Sequence, residues 1–554
     1  MNVFKLIGVF IFSFLLLSFN HGLRAQEGKL QCTVIVAGKD ATPNGSVIVS
    51  HSDGGKDCRL RVIPRKTFPD GAKAPVYWGI QRVDLPLDDH GEVIGHIPQV
   101  KETYSYIHSA LPHINEYQLS IGESTMSQRE ELKFEREENE QIMTVEQAEI
   151  FALQRCKTAR DAVKLIGSLM EEYGFLPSCI GESEALAIAD PEEVWIFEVM
   201  GVGPGWKRNS GKPGALWAAK RVPDDHAAMI PNWSTIKRID TTKAGCMASP
   251  NYKSFAIEKG WYDPDGDVPF IWQDVYSPIP REWATGRFWL FYSKYAPDRV
   301  KYPKRRTTNP FETQNPYIQY VEDLDLYPFS VKPNQKIDVK DVMDFQRSVF
   351  KGTIYDMAND PDWYVPNKKG EMVKSPLTTP FPTTAMRKLL DINNRRNVAR
   401  GGFGMVTELR SKYPDPIGGI YWVYEDNEYV GPYVPIYAGV TKINPLYKNY
   451  NPEKYNENSA RWVYDFVDNL MYLKWQDAWK DVKPVRDSLE KATFEELKEV
   501  DQKALELYRE DHEKAREYLT EYTWNKMDEM VEAYRKLRYE LLMKYTNNKQ
   551  GINF

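Results

Sequence analysis

"KLQCTVIVAGKDATPNGSVIVSHSDGG", Lys29–Gly55, places a cysteine directly before an apolar β-branched run. Val, Ile and Thr in unbroken runs favour strands, and Pro43-Asn44-Gly45 is a turn signal. The stretch therefore predicts two strands, "CTVIVAG" and "GSVIVSHS", joined by a short connection. If Cys32 were the first residue of a mature chain, it would carry a thiol and a free α-amine together. An α-amine has a pKa near ~8, against ~10.4 for a lysine, so it can act as a base around neutral pH. Nucleophile and general base would then share one residue. The other readings of Cys32 are a buried strand cysteine, half of a disulfide, or a lipid-anchor cysteine. The anchor reading fits poorly. Lys29, Leu30 and Gln31 precede Cys32 where small residues are expected, and the apolar run ends near Phe19.

That run, "LIGVFIFSFLLLSF", follows Lys5 and precedes Ala25, a small residue at a cleavage point. It falls short of the ~20 residues of a comfortable membrane span, so a removed secretory signal is expected rather than an uncleaved anchor. Residues 1–25 read as the signal and 26–31 as a short propeptide. No later segment is long and apolar enough to span a bilayer, so a periplasmic or extracellular protein is expected.

The chain has 554 residues, 42% hydrophobic and 27% charged, an ordinary globular balance. The formal net charge of −6, without a long basic run, gives no footprint for nucleic acid. Five cysteines, an odd count, leave at least one thiol unpaired within the chain. Cys58, Cys156, Cys179 and Cys246 allow two bridges in three connectivities.

Farther along, "EYQLSIGEST" reads as a strand, and "ALAIAD" and "VWIFEV" form a hairpin about Asp190-Pro191. "TVEQAEIFALQRCKTARDAVKLIGSLMEEYG" is helical, as one helix or two, and ends at Gly174. From about Pro250 to Thr383 the chain reads as structured loops with short elements. "MVTELRSKYPDPIGGIYWVYEDNEYVGPYVPIYAGV" returns to strands. Beyond about Tyr455 it becomes helical, with an apolar stripe of Phe494, Leu497, Ala504, Leu507 and Tyr508, the mark of a covering hairpin.

"CTVIVAGKDATPNGSVIVSHSD" resembles the opening of the bacterial dipeptidase family of N-terminal-nucleophile cysteine hydrolases, which includes dipeptidase A and secernin relatives. The resemblance rests on Cys32, Thr33, Gly38, Lys39, Ala41, Gly45, Ser46 and Asp53. It continues through "HINEYQLSIGESTM", "GESEALAIADPEEVWIFEVMG", "HAAMIPNWSTI", "PREWATGRFWLFYSKYAP", "GGIYWV", "PYVPIYAGV" and "SARWVYDFVDNL". It implies an α+β fold, an αββα sandwich of two antiparallel sheets between helical layers with a C-terminal helical extension. Residues 32–454 would be the catalytic domain and 455–554 the helical C-terminal region. It implies hydrolysis of dipeptides or short peptides through a Cys32 thioester. Asp53 would hold the α-amine, Asn232 would donate to the oxyanion, and Arg281 or Arg287 would place a guanidinium near Cys32. Asn115 would support the strand end or the oxyanion site. Many relatives have Arg-Asn-Asp where His51-Ser52-Asp53 stands here, which puts a substrate-carboxylate role there in doubt. His51 would substitute for that arginine or be an exposed strand-end histidine.

Other chemistries lack a pattern. There is no His-Glu-x-x-His and no Gly-x-Ser-x-Gly elbow, and "GGFG" at Gly401 lacks a Walker lysine. Eight histidines are scattered without ligand spacing, so neither metal nor cofactor is expected. An acyl-amide hydrolase of the bile-salt or penicillin type, or a non-catalytic envelope binding protein, is the alternative.

Overall fold

The computed structural model describes residues 32–546, apart from 56, 79–84, 135, 137–138, 179–181, 278–281, 299–326, 354, 393–396 and 400–401. The expected signal, propeptide, Arg281 and Cys179 therefore lie outside the described residues.

The opening stretch forms β1 (Val34–Ala37) and β2 (Val47–Asp53), paired antiparallel with Val36 opposite Val49 and Ala37 opposite Ile48. Both strands are buried along their whole length. That explains continuous apolar runs where a half-exposed strand would alternate. Strands β3 (Arg61–Ile63), β4 (Tyr106–His108), β5 (Pro112–Asn115) and β6 (Ser120–Met126) follow. Then come β7 (Ser183–Ala189), β8 (Val194–Met200), β9 (Leu216–Val222), β10 (Ala227–Ile230) and β11 (Cys246–Ala248). The last three are β12 (Gly402–Leu409), β13 (Gly419–Asp426) and β14 (Val434–Tyr437). The first sheet has the order β10-β1-β2-β12-β13-β14 and the second β11-β9-β8-β7-β6-β5-β4-β3. Pairing is antiparallel throughout both.

The sheets face each other where β2 lies against β6 and β7. Ser120 Oγ and Thr407 Oγ1 meet across the interface at 2.9 Å. Gly122 permits the close approach, since a Cβ there would lie 3.0 Å from the Ser50 carbonyl oxygen.

The long helical pattern resolves as two helices, α1 (Val145–Arg155) and α2 (Ala159–Tyr173). Cys156 takes extended backbone between them, and Thr144 and Thr158 each cap a helix start. Asp190, in the expected β7–β8 hairpin, accepts from Glu192 N–H at 2.8 Å and Glu193 N–H at 3.0 Å. Its other oxygen accepts Ala159 N–H at 2.8 Å, tying α2 to the hairpin. Helix α2 packs on β7, β8 and β9.

The middle region is more regular than loops alone. It contains α3 (Glu282–Tyr295), which buries Phe288, Phe291, Tyr292 and Tyr295, and α4 (Val339–Gln346), started by an Asp338/Asp341 capping box. The helical tail forms α5 (Ala460–Met471), α6 (Trp475–Glu510) and α7 (His512–Tyr545). Helix α4 packs on β2 and β12, α5 on β13 and α7 on β14. The chain is thus α+β, with helices outside each of two facing antiparallel sheets. The tail shares the core of the sheets rather than forming a separate one. Phe494 stacks on Trp422 with ring centroids 4.5 Å apart. Two buried ion pairs pin α6: Arg347 to Glu490, at 3.0 Å for one of its two contacts, and Arg410 to Asp501 at 2.5 and 3.1 Å. Tyr437 also donates to Asp501 at 2.8 Å.

Truncating one member of a buried pair leaves the other charge desolvated, a loss of about 3–5 kcal/mol. Asp501→Ala is expected to lower the urea midpoint by a corresponding amount, measured by circular dichroism and tryptophan fluorescence together.

Candidate active site

Cys32 stands just before β1 and is 2% exposed. Thr33 and Ser52 exchange both backbone hydrogen bonds, each 3.0 Å. Carried one residue further, that register sets Cys32 opposite Asp53, the last residue of β2. Asp53 is buried, not a surface turn residue, because β12 flanks β2 with Phe403 opposite Asp53. Its Oδ1 accepts Gly55 N–H at 3.1 Å.

Arg287 projects from α3 and is fully buried. Nη1 donates to the Cys32 carbonyl at 2.5 Å and to Thr33 Oγ1 at 2.7 Å. Nη2 donates to the Pro231 carbonyl at 2.7 Å and to Asn232 Oδ1 at 2.9 Å. One guanidinium therefore joins the cysteine, the start of β1 and the turn after β10. Asn232 occupies the left-handed region, φ 63°, which asparagine tolerates better than most residues. Strand β6 holds it there: Asn232 N–H donates to Ser124 Oγ at 3.0 Å, and Nδ2 donates to the Thr125 carbonyl at 2.8 Å.

The segment after Asn232 hangs on Glu198, a carboxylate buried in β8. It accepts from Ser234 Oγ at 2.5 Å, Thr235 N–H at 2.6 Å, Ile236 N–H at 3.1 Å and Trp272 Nε1–H at 2.8 Å. Burial pushes its pKa up, and those hydrogen bonds pull it back toward the charged form.

Glu123 of β6 faces the cysteine from the second sheet. Its Oε2 lies 3.9 Å from Cys32 Sγ and 3.8 Å from His51 Nε2. Burial pushes the Glu123 carboxyl up to about 7, against a hydrogen bond with Glu184 that pulls it down, while the nearby Asp53 charge adds to the rise. His51 is buried between β1 and β12, which corrects the expectation of an exposed strand-end histidine. Burial lowers it to about 3, so its imidazole is neutral. Its Nδ1 lies 3.3 Å from His113 Nε2, and His113 Nδ1 lies 3.1 Å from the Tyr421 hydroxyl.

Of the residues named from sequence, Cys32, Asn232 and Arg287 are joined by hydrogen bonds and Asp53 lies across the ladder. Asn115 does not join them. Its Nδ2 donates to the Leu153 and Cys156 carbonyls, both at 2.9 Å, holding the end of α1. Sequence reasoning missed Glu123 and Glu198. The signal for Glu198 was a lone acid inside the aromatic strand "VWIFEVM"; Glu123 sits in a polar stretch that reads as partly exposed. Cys58, Cys156 and Cys246 are free thiols, so two bridges among the four remaining cysteines do not form. Burial pushes the Cys156 thiol up to about 12 and that of Cys58 well above its ordinary value.

The family model for peptidase family C69 matches residues 31–488, most of the chain and the whole of the site. The chain belongs to peptidase family C69. It is accordingly a cysteine-type peptidase, and the resemblance drawn from its opening stretch is borne out. It is similar to a probable dipeptidase B of Lactococcus lactis subsp. lactis (strain IL1403), 24% identical over 454 residues, covering 78% of this chain and 80% of the relative. A probable dipeptidase of Salmonella dublin is 22% identical over 435 residues, covering 75% and 83%. A probable dipeptidase B of Streptococcus pyogenes serotype M1 is 21% identical over 547 residues, covering 95% and 96%, the helical tail included.

Glu198→Ala is expected to leave several buried donors unpaired, each costing about 1–3 kcal/mol. Thermal unfolding should fall by many degrees, with the Trp272 environment altered in near-ultraviolet circular dichroism.

Proposed function

We propose that the chain is an exported, self-activating dipeptidase in which Cys32, once exposed as the N-terminal residue, attacks the peptide carbonyl. The observation that carries this reading is the Arg287 grip on the Cys32 carbonyl, Thr33 and Asn232. It fixes the cysteine at a strand start beside a backbone turn and a buried aspartate. The layered sheets and helices support classing the fold as an N-terminal-nucleophile αββα sandwich. The relatives' names support dipeptides as substrates over other acyl amides.

In this reading residues 1–25 direct export to the periplasm or beyond, and loss of residues 26–31 frees the α-amine. The amine takes the thiol proton as Sγ bonds to the carbonyl carbon. Asp53 accepts a hydrogen bond from the resulting ammonium. The Arg287 guanidinium disfavours a second positive charge nearby, which lowers the pKa of the α-amine and leaves it free to take the thiol proton. Asn232 donates to the oxyanion through Nδ2. The scissile C–N bond breaks as the ammonium returns its proton to the departing amino acid. Water then attacks the thioester, releasing the acyl residue as an acid and restoring the thiol.

Intact-mass measurement of the purified active enzyme is expected to show a chain beginning at Cys32; an active chain that keeps Gln26 at its start contradicts the α-amine mechanism. Cys32→Ala is expected to abolish cleavage across a dipeptide panel, by about 10³-fold or more, with an unchanged unfolding curve. Arg287→Lys keeps the charge but loses the fork. It is expected to lower kcat/KM by about 10–100-fold while leaving some activity, measured on the best dipeptide of the panel.

A further inference from the structure

Cys32, His51 and Glu123 converge from three separate segments: the residue before β1, strand β2 of the first sheet and strand β6 of the second. Cys32 Sγ, a histidine ring nitrogen and a Glu123 carboxylate oxygen all lie within 4.8 Å of one another. All three residues are buried. His51 Nε2 points at Glu123 from 3.8 Å, too far for a hydrogen bond, and has no hydrogen-bond partner among the described residues although its ring is fully enclosed. A buried ring nitrogen without a partner is costly. A cation between these atoms would satisfy it.

We propose that Cys32 Sγ, His51 Nε2 and Glu123 form a site for a zinc ion, and that zinc held there silences the peptidase. The donor set is one thiolate, one imidazole and one carboxylate, all ordinary zinc ligands. Tetrahedral zinc with bonds of about 2.0–2.3 Å holds its ligands roughly 3.3–3.6 Å apart. The Glu123 oxygen, at 3.9 Å from sulfur and 3.8 Å from nitrogen, needs to close by only a few tenths of an ångström. The outer partners are also in place. His51 Nδ1 faces His113 Nε2 at 3.3 Å, and His113 Nδ1 faces Tyr421 at 3.1 Å. A chain of N–H donors running His51 to His113 to Tyr421 leaves the Nε2 lone pair turned toward the metal, the usual support for a ligating histidine. On binding, the thiol proton passes to solvent as the S–Zn bond forms. The sulfur lone pair that would attack a carbonyl is then committed. In a processed chain the α-amine of Cys32 would close a five-membered chelate with its own sulfur and supply a fourth ligand; this last clause rests on the proposed processing. Spacing along the chain gave no metal signal because each ligand comes from a different strand region.

The test uses purified full-length product, its N-terminus defined by intact mass, stripped with a chelator and titrated with zinc chloride. Expected are one retained equivalent after desalting, activity lost in proportion and restored by EDTA, and one sulfur in the zinc shell by X-ray absorption. Cobalt substitution should give a thiolate charge-transfer band in the near ultraviolet that Cys32→Ser removes. His51→Ala, checked for an unchanged unfolding curve, should weaken zinc binding at least tenfold. Failure to retain an equivalent, a zinc shell without sulfur, or equal zinc affinity in wild type and Cys32→Ser would each overturn the site. Retention and the sulfur shell are read without substrate, so a protein that proves inactive on dipeptides still decides the zinc question.

Discussion

The buried Arg287 guanidinium is the interaction on which the site depends. Taking a cation out of water costs several kcal/mol, and here four oxygen acceptors surround its two terminal nitrogens. Those acceptors belong to two places far apart in sequence: Cys32 and Thr33 before β1, and Pro231 and Asn232 just after β10. The charge therefore does more than sit near the cysteine. It decides where the start of the first sheet lies relative to the turn that carries Asn232. Helix α3 exists at this position to deliver it, with Phe288, Phe291 and Tyr292 anchored in the core beside it.

Strand β6 is the second organising element. Three consecutive residues serve the site from the opposite sheet: Glu123 faces the thiol, Ser124 accepts the Asn232 amide, and Thr125 accepts its side chain. The close packing of the two sheets at Gly122 makes this reach possible. Polar groups placed between two sheets are desolvated, and this raises Glu123 and lowers His51. The described residues of the site thus meet in a buried seam between the two sheets. The helical tail acts at a distance, closing the outer face of the first sheet through Arg347–Glu490 and Arg410–Asp501.

Much of this architecture was legible in the residues. Unbroken runs such as Val34–Ala37 and Val47–Val49 announce strands buried on both faces. Asp190-Pro191 marks a hairpin, and the stripe from Phe494 to Tyr508 marks a covering helix. The break between α1 and α2 stayed open because Thr158 is acceptable both inside a helix and as a cap; only the turn of the Cys156 backbone settles it. Polar residues were harder. A strand buried on both faces has no wet side, so alternation cannot tell whether His51 or Glu123 is enclosed. Identifying Arg287 as a neighbour of Cys32 required knowing which turn of α3 faces the start of β1. Glu198 takes its meaning from a hydroxyl 36 residues away and backbone amides 37 and 38 residues away, which no local pattern shows.

The central claim is that Cys32, and no other thiol, performs the chemistry. Time-resolved alkylation of the active enzyme with iodoacetamide, followed by peptide mapping and activity in the same samples, tests it directly. Cys58 and Cys156 are buried with raised pKa values, and Cys246 is half-buried. The account predicts that activity falls in step with Cys32 modification, that labelling of Cys246 leaves activity unchanged, and that a dipeptide slows only the Cys32 reaction. Full activity in a population whose Cys32 is completely alkylated would contradict it.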